Sequence, residues 1–243
     1  MGKEKIFVAD KTGEIKIFSV NGKLINSYGL LPGNQEAIKA TSAHLHGDRL
    51  YVADANLQGI LVISAVTIYG PTEKGPPVLL TEEGELIFTI PEKKFRPRWV
   101  TEQWDLMNPS YAIVSPDGRV LVSDTDLGMM KAYTCTGWYA YPFEKGKGKE
   151  TLVAPRAIDY DDLSNPKYEK AKGADPSGIR SHGRVHVVDK ARNRVFTYTT
   201  TGNFLFSYGQ GKLSSPNGIA IDTKHRLIFI ADTGNRRITV WGY

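Results

Sequence analysis

The chain predicts an all-β fold assembled from a repeated antiparallel sheet, and three observations carry that prediction. A short apolar strand ending in aspartate recurs five times: IFVAD at 6–10, LYVAD at 50–54, VLVSD at 120–124, VHVVD at 185–189 and IFIAD at 228–232. Glycine-centred turns follow most of them, at Gly22, Gly84, Gly137 and Gly202. Hairpin turns often need a positive φ, which glycine adopts without steric cost. Helical periodicity is weak throughout, with one short turn suggested near 163–171.

The aspartate-ended strands are apolar at nearly every position instead of alternating. Continuous apolarity over a few residues suits a strand covered on both faces, as in a sheet stacked between two others like itself. The hairpins that follow (IKIFSVNGKLINSYG, EEGELIFTI, KAYTCTGWYAY and VFTYTTTGNFLFSYG) bring each repeat to about four antiparallel strands. That is the unit of a β-propeller blade. The expectation is a single β-propeller domain across 1–243.

Spacings between the five aspartates are 44, 70, 65 and 43 residues. Two match an ordinary blade of about 40–50 residues and two carry insertions. The insertions fall around 65–78, 91–107 and 144–175. Pro155, Arg156, Ala157 and Ile158 could be the remnant of a further blade, so five and six blades both stay open.

Residues 176–195 read PSGIRSHGRVHVVDKARNRV and residues 216–238 read PNGIAIDTKHRLIFIADTGNRRI. Both run Pro-x-Gly-Ile, a turn, an apolar strand ending in Asp, then a short loop closing on Arg and a β-branched residue. This resembles the NHL repeat, and the match at 216–238 is nearly complete. The resemblance implies a propeller of five recognisable repeats. Only 11 residues follow Asp232 and only 10 run from Met1 through Asp10, about half of a blade step. The first repeat is therefore expected to be short of its lead strand and the last of its outer one. Three alternatives stay open: an insertion fills the gap, a partner chain completes the ring, or the sequence is a piece of a longer protein.

Formal net charge is +5, from 31 basic and 26 acidic residues, an excess that permits an anionic partner without demanding one. The one cysteine, Cys135, excludes an intrachain disulfide and any paired-cysteine metal or haem motif. No apolar run approaches a membrane span and no signal segment precedes the first strand. As written the sequence suits a soluble cytoplasmic protein; the mature part of an exported one would read the same.

The repeated aspartates Asp10, Asp54, Asp124, Asp189 and Asp232 are read as repeat-structural, each capping the turn after it. Arg194 and Arg237 follow two of them at the fifth position and offer local ion pairs. His46, His182 and His225 align with Asp117 in the turn between first and second strands. His44 and His46 share a face of one strand and are a weak metal pair lacking an evident third ligand. His186 reads as core. The most functional-looking segment is 92–104, where Lys93, Lys94, Arg96 and Arg98 alternate with Phe95, Trp99 and Trp104. Cations interleaved with rings suit phosphate contact and base stacking. The lysines of 144–150 and 166–172, with Tyr160 and Tyr168, fall with it on the loops expected to join consecutive blades, where binding residues concentrate.

Three function classes follow. Resemblance to NHL modules implies a non-catalytic binding scaffold whose ligand face is formed by these insertions, with a protein partner foremost and nucleic acid or another polyanion beside it. Related six-bladed propellers include lyases and lactonase-like hydrolases with a central metal. No matching ligand set, nucleophile motif or phosphate loop is present here. No cofactor is evident, though a channel metal ion stays open. The third class is a structural subunit that self-associates through open propeller edges.

Overall fold

The computed structural model describes residues 5–10, 12–29, 37–65, 68–70, 78–81, 86–91, 105–144, 146, 148–161 and 183–243. Those residues form five successive antiparallel meanders, the five blades of a β-propeller fold. Sheet 1 holds β1 (Lys5–Ala9), β2 (Ile15–Ser19) and β3 (Leu24–Tyr28). Sheet 2 holds β4 (Ala40–His46), β5 (Arg49–Asp54), β6 (Gly59–Ser64) and β9 (Leu86–Ile90). Between its last two strands β7 (Ile68–Gly70) and β8 (Val78–Thr81) pair as a separate hairpin. Sheet 3 holds β10 (Pro109–Val114), β11 (Val120–Asp124), β12 (Met129–Tyr133) and β13 (Tyr139–Pro142). Sheet 4 holds β14 (Pro155–Asp161), β15 (Arg184–Asp189), β16 (Arg194–Thr199) and β17 (Phe204–Tyr208). Sheet 5 holds β18 (Gly218–Asp222), β19 (Leu227–Asp232) and β20 (Arg237–Gly242).

The blade number is thus five, and Pro155–Ile158 is not the trace of a sixth. It opens β14, the lead strand of sheet 4, and pairs with β15 from Pro155 opposite Asp189 to Asp161 opposite Arg184. Proline suits the first residue of a strand because no ladder donor is needed there. Two expectations change with this. The lead-strand place assigned to 176–182 is taken by β14, and those residues lie outside the described ones. The 162–182 insertion then runs between β14 and β15, within one blade, instead of joining two. The hairpin β7–β8 is likewise an insertion within a blade. Sheets 1 and 5 each have three strands, the first without a counterpart of β4 and the last without one of β9, as the spacing along the sequence implied.

The turn glycines behave as glycines must. Gly22, Gly137 and Gly202 sit at φ of 79°, 90° and 88°. A Cβ on Gly202 would stand 3.2 Å from the Phe143 Cα, so both backbone conformation and space require glycine there. A different pattern governs the turn before each third strand. Gln58, Gly128, Asn193 and Arg236 all adopt the left-handed conformation, with φ of 51°, 60°, 54° and 54°, each four residues after a strand-ending aspartate.

The chain divides into two compact units, 1–114 with 133–139, and 115–132 with 140–243, and sheet 3 supplies strands to both. In the first unit, Ile15 with Phe7 and Ala9 packs on Ile38, Ala40, Val52, Leu61 and Ile63. Sheet 1 thus turns one face forward onto sheet 2. The Thr41 hydroxyl then donates to the Pro109 carbonyl at 2.8 Å, linking β4 to β10. In the second unit, Ser123 and Thr125 of the β11 region donate to the carbonyls of Arg156 and Pro155 at 2.5 and 2.8 Å. Asp159 on β14 accepts the Ile221 N–H of β18 at 2.7 Å. A lead strand therefore takes part in each of these ties between consecutive sheets, β4 with β10, β14 with the β11 region and β14 with β18.

The packing makes a quantitative contrast. Phe196 stands opposite Val187 and Thr239 opposite Ile230, equivalent places in sheets 4 and 5. Phe196 is fully buried against Phe204, with ring centroids 6.1 Å apart. We expect Phe196→Ala to lower unfolding free energy by about 3–5 kcal/mol and Thr239→Ala, on the half-buried strand, by less than about 1 kcal/mol. Urea denaturation of both variants checks this.

Candidate functional site

The repeated aspartates face inward onto backbone donors. One oxygen of Asp54 accepts the N–H groups of Asn56 and Leu57, both at 2.8 Å, and the other accepts that of Lys39 at 2.6 Å. Asp189 repeats this: one oxygen takes the Arg192 N–H at 2.9 Å, the other those of Val153 and Ala154 at 2.6 and 3.1 Å. Asp232 accepts from the Ser214 N–H at 2.7 Å, the Asn235 amide at 2.8 Å and the Arg237 guanidinium at 2.9 Å. Burial pushes the Asp232 carboxyl up, but those three donors outweigh it and hold it below the usual carboxylate range. Asp124 accepts the Leu127 N–H at 3.1 Å. In sheets 2, 4 and 5 the carboxylate so fastens its own turn to the segment leading into its sheet.

Asp10 differs because, among the described residues, sheet 1 has no lead strand. It caps Thr12 through backbone N–H and hydroxyl at 2.7 and 2.8 Å, and its other oxygen binds Lys16 at 2.7 Å. The Lys16 ammonium, then the Thr12 donors, hold the Asp10 carboxyl well below its ordinary range. An ammonium here takes the place of the backbone N–H groups.

The Arg237–Asp232 pair forms as its spacing suggested. Arg194 does not pair with Asp189, whose oxygens are occupied by the N–H groups of Val153, Ala154 and Arg192. It reaches Glu150 at 2.8 Å and the Ser207 hydroxyl at 3.2 Å, and Ser207 donates in turn to Glu150 at 2.5 Å. Arg192 donates to the Thr151 carbonyl at 3.0 Å, and Glu144 accepts the Phe204 N–H at 3.0 Å. Glu144 and Glu150 thus anchor the two ends of the connection between sheets 3 and 4.

His44 and His46 stand opposite Tyr51 and Arg49 on β4. Burial, then the neighbouring His46, pushes the His44 imidazole below its ordinary value. Among the described residues no group of three or more His, Cys, Asp or Glu side chains is placed to hold a metal ion. His225 lies in the β18–β19 turn, 2.6 Å from the Asp222 carboxylate. His186 is buried on β15, its Nδ1 3.2 Å from the Tyr208 hydroxyl and 3.3 Å from that of Thr197. Its Nε2 has no hydrogen-bond partner. Burial first, then Arg184, pushes this imidazole down to about 4.

Lys93, Lys94, Phe95, Arg96, Arg98, Trp99 and Trp104 lie outside the described residues, as do His182 and Tyr168. The described chain nonetheless brings together the same chemistry elsewhere. Phe206 and Tyr208 share a face of β17 with centroids 6.3 Å apart, and Tyr208 meets Trp241 of β20 at 5.7 Å. Arg184 lies over Phe206 at 5.8 Å and Lys212 over Trp241 at 5.3 Å. Phe206 is 41% exposed, Lys212 is exposed, and Arg184 and Trp241 are half-buried. The result is a row of three rings with a cation at each end, where sheet 4 meets sheet 5. Its members span 58 residues, from 184 to 241, so no linear motif announces it. The one local cue is Phe206 and Tyr208 two apart on a strand.

No family model matches the chain, and no curated protein matches it either. Solved structures do match in fold. The chain resembles one in the crystal structure of the Nidogen/Laminin complex, with 16% identity and a TM-score of 0.62, covering 98% of this chain and 73% of that one. It also resembles the computationally designed Ika4 protein, with 14% identity and a TM-score of 0.52 over 90% and 99% of the two chains. These likenesses establish the propeller fold. Among the described residues no helix is long and apolar enough to cross a membrane.

Two outcomes follow. Asp189→Ala leaves three backbone N–H groups without their acceptor, and we expect a loss of about 3 kcal/mol or more in chemical unfolding. Asp10→Ala, on a partly exposed carboxylate, should cost much less. For His186, the folded value near 4 lies below the ordinary 6.5. The unfolded chain therefore binds the proton first, and the stability held above pH 6.5 drains away as pH falls toward 4, by roughly 3 kcal/mol. His186→Asn should remove that increment from the difference between stabilities measured at pH 7 and pH 4.5.

Proposed function

We propose that the chain is a non-catalytic, NHL-type propeller that acts as an interaction scaffold, docking a protein partner on the Arg184–Phe206–Tyr208–Trp241–Lys212 row. The observation that carries this reading is the row of exposed Phe206 and half-buried Tyr208 and Trp241 held between two cations. Aromatic and arginine side chains dominate the energetics of protein interfaces because they offer large area at small entropic cost. The cations select an acidic neighbour to the apolar group that packs on the rings. A fold relative solved as a complex of two proteins supports a protein partner as well. The 92–104 segment is a second proposed contact, for anionic groups.

Panning a random peptide library on the immobilised protein tests the reading. Selected peptides should combine Asp or Glu with Leu, Phe or Trp. Trp241→Ala and Lys212→Glu should each weaken them about tenfold or more, which is about 1.4 kcal/mol. Peptides without that composition, or ones that bind both variants as tightly as the parent, would sink it. Replacing Lys93, Lys94, Arg96 and Arg98 with Ala should lower oligonucleotide binding and flatten its salt dependence if 92–104 contacts polyanions.

A further inference from the structure

One end of sheets 4 and 5 gathers the turns that follow two of the aspartates, 190–193 and 233–236, and the connection 209–217 between the two sheets. Hydrogen bonds lace these segments into one surface. The Ser215 N–H donates to the Asn193 side chain at 2.7 Å, the Gly234 N–H to the Ser214 carbonyl at 2.8 Å and the Arg237 guanidinium to the Lys212 carbonyl at 3.0 Å. All of them belong to a single compact unit. The surface is built of turns at strand ends, which sheets stacked as propeller blades leave open.

Its exposed charge is of one sign. Lys190, Lys212, Arg236 and Arg237 are exposed and Arg192 is half-buried. The acids of the same segments, Asp189 and Asp232, are fully buried. Among the described residues only Arg237 of these five cations has an ion pair, with Asp232 at 2.9 Å. Arg192 is the most telling. Its guanidinium donates to the Thr151 and Gly148 carbonyls at 3.0 and 3.4 Å, so neutral acceptors hold it in place and leave its charge unmatched. Glu150, in the same connection, is committed to Arg194 and Ser207. The corresponding turn of sheet 3, 125–128, reads Thr-Asp-Leu-Gly and carries no cation. The excess is local to sheets 4 and 5.

We infer that this mouth binds an acidic peptide segment, a run of Asp and Glu in a partner protein, through Lys190, Arg192 and Arg236. A guanidinium matches a carboxylate with two parallel N–H donors, and one already fixed by carbonyls loses little freedom on binding. The same surface suits nucleic acid less well. Segments 190–193, 209–217 and 233–237 hold no aromatic residue on which a base could stack. The inference goes beyond the aromatic row, because its three residues are not members of that row.

Fluorescence anisotropy with a labelled peptide built only from Asp, Glu, Gly and Ser tests it across a range of salt concentrations. The parent chain should bind this probe, and more weakly as salt rises. Lys190→Gln with Arg236→Gln removes charge without removing a side-chain hydrogen bond among the described residues. Glutamine also suits the second position, since Gln58 takes the same left-handed conformation in sheet 2. That pair should weaken binding about fivefold, and adding Arg192→Gln should raise the loss to about tenfold or more with a flatter salt dependence. Lys224→Gln with Arg226→Gln makes the same change of net charge at the opposite end of sheet 5. It should leave binding within about twofold of the parent, as should Trp241→Ala. A parent that does not bind the probe overturns the inference. So does an equal loss in the Lys224, Arg226 pair, which would signal net charge alone. A loss in Trp241→Ala would move the acidic contact to the aromatic row and overturn it as well. Tighter binding of an oligonucleotide of matched charge, with the same losses in the variants, would make the mouth a nucleic-acid surface instead.

Discussion

A carboxylate buried at the end of a strand needs hydrogen-bond donors, because water cannot reach it and an unmatched charge in the interior is costly. In this chain the donors lie on the turn that follows and on the segment that leads into the same sheet; most are backbone N–H groups, and after Asp232 the turn offers the Asn235 side-chain amide and the Arg237 guanidinium. Asp54, Asp189 and Asp232 take donors from both. One residue therefore fixes where the lead strand enters, and its register follows. Once β4, β14 and β18 are placed, their contacts to the neighbouring sheets close the apolar layers.

This constraint explains which parts of the fold could be read in advance. The aspartate-ended strands and the glycine turns are local signals, and they correspond to strands and positive-φ turns in the structure. The lead strand of sheet 4 was harder. Pro176 to Ile179 carries the better sequence pattern, but the donors that satisfy Asp189 belong to Val153 and Ala154, and this contact outweighs local likeness. A long-range hydrogen bond leaves no periodic trace. The same holds for Arg194, whose fifth-position spacing pointed to Asp189 while Glu150, 44 residues away, supplied the partner.

The aromatic row was illegible for a related reason. Phe206 and Tyr208 are neighbours on one strand, but Trp241 joins them only because sheet 5 stacks on sheet 4, and Arg184 and Lys212 arrive from elsewhere. Interleaved cations and rings along 92–104 are conspicuous in sequence because they are contiguous. Surfaces built across sheets are not. The aspartates show the converse: conspicuous through repetition, they serve the scaffold, and their lone pairs are taken by its own backbone and side-chain donors.

The left-handed residue before each third strand carries a lesson about divergence. Glutamine, glycine, asparagine and arginine occupy that place in four sheets, yet the backbone takes nearly the same φ in all of them. Left to itself, a residue other than glycine avoids that conformation. Here the turn is imposed from outside, by hydrogen bonds to the aspartate from its N–H groups in sheets 2, 3 and 4 and from the Asn235 side chain in sheet 5. Freed from dictating its own geometry, the position can drift. A repeat held by one buried carboxylate can lose most of its recognisable letters while its shape endures, so ancestry fades from such a chain faster than architecture does.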